Sequence, residues 1–147
     1  MPIQSLFTRR TAVRLIVGAG AAFAVAACSM TPPQDLNLAR ARVTDGGRYQ
    51  TSIAPNVETL KVGEVHGWTV ELRGLDGAPI NDARFALDGG MPQHGHSYPT
   101  KPRVTQNLGG GKYLVEGMKF SMPGWWTLVV KVDGPAGADA LTYNIVL

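Results

Sequence analysis

The chain has 147 residues, 44% of them hydrophobic and 17% charged, with 14 Lys+Arg against 11 Asp+Glu. A single cysteine excludes an internal disulfide. The basic excess does not mark a nucleic-acid binder, because Arg9, Arg10 and Arg14 account for all of it and cluster before residue 15.

Residues 1–14, MPIQSLFTRRTAVR, carry those three arginines and no acid, and LIVGAGAAFAVAA follows at 15–27. That apolar run is shorter than the roughly 20 residues a membrane span needs. Basic flank, short apolar stretch and small residues at its end predict a cleaved export signal over 1–27. Val25-Ala26-Ala27-Cys28 resembles a bacterial lipobox, which implies cleavage before Cys28 and a lipid on its sulfur. Such a thioether is lost as a nucleophile or metal ligand. The expected location is the cell envelope, anchored to the membrane through lipid and facing the periplasm or exterior. Ser29, rather than aspartate, after the cysteine implies the outer membrane in a Gram-negative cell. Once the signal is removed, bases and acids balance, and no basic cluster remains to hold nucleic acid.

Residues 28–45 read as a lipidated tether opening on SMTPPQDLN; its later part, LNLARARV, fits either a helical turn or an irregular strand. From Gly46 the pattern changes to a period of two, punctuated by Gly, Pro, Asn and Asp. RYQTSI places Tyr49, Thr51 and Ile53 on one face. HGWTVELR places Trp68, Val70 and Leu72 on one face, with His66, Thr69, Glu71 and Arg73 on the other or at the edge. ARFALDG turns Ala83, Phe85 and Leu87 inward, RVTQNL is a short strand, and KYLVEGMKF holds Gly117 as a bulge or bend. WWTLVVKVDG aligns Trp126, Leu128, Val130 and Val132, and ALTYNIVL aligns Leu141, Tyr143, Ile145 and Leu147. About seven strands with hairpin-length turns and no amphipathic helix predict one all-β domain over 46–147, an immunoglobulin-like antiparallel β-sandwich with a purely apolar core.

GGMPQHGHSYPTKP, residues 89–102, interrupts the strands and is too long for a tight hairpin. It carries Met91, His94 and His96; Met118 and Met122 lie downstream. Thioether and imidazole are the soft and borderline donors that suit Cu(I). With only Gly95 between them, the two rings can turn toward one ion. If the strand from Trp125 runs beside the strand before the loop, Met122 reaches the same pole. The expected ligands are Met91, His94, His96 and Met122, with Met118 in reserve as a ligand or as core filler. His66 reads as a surface or edge residue, and Trp125, opposite in face to Trp126, as a possible partner surface.

GGMPQHGHSYPTKPRV together with LGGGKYLVEGMKFSMPGWWTLVVKV resembles the YtkA-like/FixH-like family of small exported β-sandwich domains. The shared features are Met91, Pro92, His94, Gly95, His96, Pro99, Thr100 and Pro102, then Gly111, Lys112 and Tyr113, then Met122, Pro123, Gly124 and Trp126. The resemblance spans about residues 60 to 147. It implies copper handling or oxidase assembly near the membrane, with a copper acceptor protein as partner. Ser121 is a departure, standing where many relatives carry a histidine or another polar group.

Catalysis is not expected. There is no Gly-x-Ser-x-Gly elbow and no free thiol, and three histidines leave little for a hydrolytic zinc site. A blue-copper centre would need the cysteine. The alternative to copper transfer is a non-catalytic interaction module, or a small-ligand-binding lipoprotein, with no metal.

Overall fold

The computed structural model describes residues 31–147. The segment read as an export signal, and Cys28 with it, lies outside the described residues. Nine strands follow in order: β1 (Ala41–Val43), β2 (Gln50–Pro55), β3 (Val65–Arg73), β4 (Arg84–Met91), β5 (His96–Ser97), β6 (Arg103–Gly109), β7 (Lys112–Lys119), β8 (Trp125–Gly134) and β9 (Gly137–Val146). No helix occurs among the described residues. One sheet has the order β1-β2-β3-β7-β6 and the other β5-β4-β8-β9, every pair antiparallel. The order β2-β3-β7-β6 against β4-β8-β9 is the connectivity of an immunoglobulin-like sandwich.

Seven of these strands are the seven that alternation predicts. The other two are β1, three residues long, and β5, two residues long, too short to display a period. β1 resolves the ambiguity over residues 36–43 in favour of a strand, paired with β2 through Ala41 opposite Ser52.

The half-apolar faces meet between the sheets. Trp68, Val70, Leu128, Trp126, Tyr143 and Ile145 are buried in the larger cluster, and Tyr49, Leu72, Tyr113 and Val132 form a second at one end. The phenols at that end are satisfied by backbone: Tyr113 donates to Ile80 O at 2.7 Å and Tyr49 to Gly137 O at 2.6 Å. These two phenols are therefore buried without losing a hydrogen bond.

Two local features set the opposite pole. The register between β3 and β7 slips between His66 and Trp68, with Trp68 opposite Val115 and His66 opposite Met118. β7 therefore carries one extra residue, a bulge, and Gly117 sits there at φ +83°. The bulge flips the parity of β7, so Tyr113 and Val115 before it and Met118 and Phe120 after it all face inward. On β3 no such flip occurs. His66 shares the parity of Trp68, Val70 and Leu72 and is 4% exposed. The expectation of a surface or edge residue is corrected: period-two alternation itself directs position 66 into the core.

Registers also sort the strand ends. Val65 opposes Lys119, Gly90 opposes Thr127 and Trp125 opposes Val146. The starts of β3 and β8 and the ends of β4, β7 and β9 thus gather at one pole. All histidines and methionines among the described residues lie at that pole.

A candidate soft-metal pole

β4 and β8 are neighbours, so the loop after β4 and the turn before β8 do converge. The stretch after β4 is itself a small hairpin. Met91 pairs with His96 and Gly90 with Ser97, and His94 N–H closes the turn onto Met91 O at 3.1 Å. His94 and His96 are both exposed, with ring centroids 5.8 Å apart and planes 26° from parallel. Two imidazole nitrogens each about 2 Å from one ion place their rings about 5–6 Å apart, so the pair is at a chelating separation.

Directly opposed residues of an antiparallel pair project to the same face, so Met91 and His96 share a face. Their environments differ. Met91 is 2% exposed and belongs to the core cluster, whereas His96 lies past the edge of the core. The methyl carbon of Met91 lies 3.0 Å from where a Cβ on Gly124 would stand, which seats it under the turn carrying Met122. Met122 is half-buried, packs on the same core cluster, and its carbonyl accepts from Trp126 Nε1 at 3.1 Å.

Burial of a methionine contributes about 1.5–3 kcal/mol. Swinging Met91 out to meet the two rings would forfeit that, so an ion that uses its sulfur must come to it. A shallow hollow of about 230 Å³ exists there, lined by Met91, His96, Gly89, Gly90 and Thr127 among others. The structure therefore places Met91, His94 and His96 on one hairpin, the methionine buried and the two rings exposed, with Met122 on the adjoining turn. It does not add Met118 to them. That residue is fully buried on the other sheet, opposite His66.

The candidate donors are of one chemical kind. Two imidazoles and thioethers are borderline and soft; among the described residues no group of three or more His, Cys, Asp or Glu that could hold a metal ion occurs. Tyr98 packs beside Gly89: it stacks on Trp126 at 5.3 Å and donates to Thr127 O at 2.9 Å. Burial pushes its phenol pKa well up, despite the opposing positive charge of Arg40, so Tyr98 stays a neutral donor. Trp125 lies half-buried on the outer face of its sheet, and its indole N–H is already engaged by Asn144 Oδ1 at 3.0 Å.

Sequence reasoning missed His66. Its Nε2 contacts Lys61 O at 3.1 Å while Nδ1 is buried with no partner. An unpaired buried polar atom costs about 1–3 kcal/mol. Strand parity, counted from Trp68, was the available signal.

The sequence model of the YtkA-like family matches residues 44–131. Among solved structures, one described as the ZirS C-terminal domain is similar at 16% identity and a TM-score of 0.42, covering 100% of this chain and 88% of that one. No curated protein matches the chain significantly. The matched span takes in the His94–His96 hairpin, the Gly117 bulge, the Met122 turn and most of β8, more than half of the chain, and the protein belongs to the YtkA-like family.

Proposed function

We propose that the protein is a lipid-anchored envelope protein that binds Cu(I) at this pole and passes it to an acceptor protein. His94 and His96 are the exposed capture ligands, Met91 supplies the thioether from below, and Met122 completes the set from the adjoining turn. The observation that carries the reading is the 5.8 Å separation of two exposed imidazoles on the same hairpin as a buried thioether. Exposed nitrogen ligands let the ion be approached by a partner, while the soft sulfur favours Cu(I) over harder ions. The protein holds and transfers the ion and carries out no bond chemistry of its own. A role in oxidase assembly of the FixH-like kind falls within the same proposal.

Competition titration against a Cu(I) chelator under reducing conditions tests this. Sub-micromolar affinity is expected, weakened at least tenfold when His94 and His96 both become alanine. Affinity of micromolar or weaker, indifferent to those substitutions, would sink it. Metal-independent capture of a membrane partner, abolished by Trp125→Ala, would favour an interaction module instead.

A further inference from the structure

We propose that His66 and Met118 form a second site at this pole, buried in the sandwich, for one soft monovalent cation such as Cu(I). The proposal rests on the copper reading for the identity of the ion but uses none of its residues.

The histidine is set up as a ligand. A contact from Nε2 to the carbonyl of Lys61 at 3.1 Å requires the proton on Nε2. Nδ1 then holds a free lone pair, and that atom is buried with nothing to accept from. Orientation by a carbonyl at one ring nitrogen, with the other left bare, is how protein frameworks prepare an imidazole for metal.

The second observation is what surrounds it. Met118 is the direct cross-strand partner of His66, fully buried and on the same inward face because of the Gly117 bulge. Phe120, two residues further on, places its ring 5.6 Å from the imidazole. A ring nitrogen, a thioether side chain and an aromatic ring are thus buried neighbours on the inner face of the sheet. None of these groups carries a negative charge, so an ion brings its whole charge into the core. A single charge with a preference for sulfur suits such a site, and the aromatic quadrupole assists it. A divalent ion would find no anion to compensate its second charge.

The cover is light. Segment 61–64 lies over His66, held by the Lys61 carbonyl contact and by Gly63 N–H to Phe120 O at 2.8 Å. Its one ion pair, Lys61 with Glu64 at 3.7 Å, is more than 60% exposed on both sides and adds little. The segment can therefore lift to admit an ion.

Silver(I), redox-inert and of the same charge and softness, is the probe. Titrate the native protein and the variant with both His94→Ala and His96→Ala, following methionine methyl carbons and imidazole nitrogens by NMR. Two equivalents are expected in the native protein and one in the variant, with the variant's ion shifting the Met118 methyl and His66 Nδ1. Met118→Leu, which preserves packing, is expected to remove the second equivalent or weaken it at least tenfold, with native chemical-shift dispersion retained. One equivalent in the native protein and none in the double variant would overturn the buried site and leave the copper reading standing. No binding to either would overturn both. A second equivalent unaffected by Met118→Leu would overturn the assignment to these residues.

Discussion

Asp139 ties the far pole together. Its carboxylate accepts from Thr44 Oγ1 at 2.7 Å and from the backbone N–H groups of Gly46 at 2.8 Å and Arg48 at 3.1 Å, fastening β9 to the turn between β1 and β2. The Thr44 hydrogen bond is the largest influence on its pKa. Partial burial opposes it, the N–H groups of Gly46, Ala140 and Arg48 reinforce it, and the carboxyl is held at about 2 against an ordinary 3.8. A carboxyl with a depressed folded pKa gives stability that is complete above its unfolded value and is lost as pH falls through the folded one. Stability is therefore expected to decline between about pH 4 and pH 2. Thr44→Val should lower stability at pH 6 and flatten that decline, as read from urea unfolding at both pH values. An unchanged acid slope would remove Asp139 from the account. His66 teaches the complementary lesson about legibility. Its inward position follows from Trp68 by counting twos, but its orphaned Nδ1 depends on where Lys61 O falls, and no local pattern encodes that.

Strands were legible because a half-buried strand must alternate: β2, β3, β4, β8 and most of β9 do, β7 does on either side of its bulge, and only the mostly exposed β6 does not. The hairpin that presents the histidines was not, because it depends on two glycines with φ far from strand values. Gly89 and Gly90 lie at +137° and +154°, and a Cβ on Gly90 would overlap the His96 carbonyl oxygen. That close approach is what lets β5 pair with β4 and seats Met91 inward. Gly90→Ala must push the two strands apart. A loss of about 2 kcal/mol or more is expected from backbone strain of this kind, together with weakened Cu(I) binding, because the Met91–His96 pair is lost with the pairing. Thermal unfolding and chelator competition on the same variant check both halves; a stable variant with native copper affinity would refute the account of the hairpin. Gly117→Ala is the milder counterpart. A Cβ there meets Lys101 O at 3.4 Å, a tolerable contact, so the cost is conformational, about 1 kcal/mol. Its diagnostic effect is on Met118, whose inward parity depends on the bulge.

For the molecule as a whole, the decisive geometry is where the chain enters. β1 runs antiparallel to β2, so the residues before it lead back toward the soft-metal pole. Four contacts fix that course: Ile53 N–H to Arg40 O at 2.9 Å, the Arg40 guanidinium 5.3 Å over the Trp68 ring, Asn144 Nδ2 to Asn37 O at 3.0 Å and Gln93 Nε2 to Thr31 O at 2.9 Å. Gln93 is the neighbour of His94. Cys28 is three residues before Thr31, a reach of about 10 Å even if fully extended. If Cys28 carries lipid, the histidine hairpin is held against the bilayer. The far pole then stands about 30 Å higher, the length of the ten-residue strand β8. Under the copper proposal, that orientation would hand the ion to an acceptor within or on the membrane rather than to one diffusing above it. With Cys28 lipidated, an engineered thiol is the sole free one and can carry a fluorophore. In vesicles bearing a headgroup quencher, a label at Ser97→Cys should be quenched strongly and one at Ala136→Cys, at the far pole, weakly. Equal quenching would mean that segment 31–40 peels away and the domain tumbles on its tether. Stronger quenching at position 136 would invert the orientation and with it the argument for a membrane acceptor.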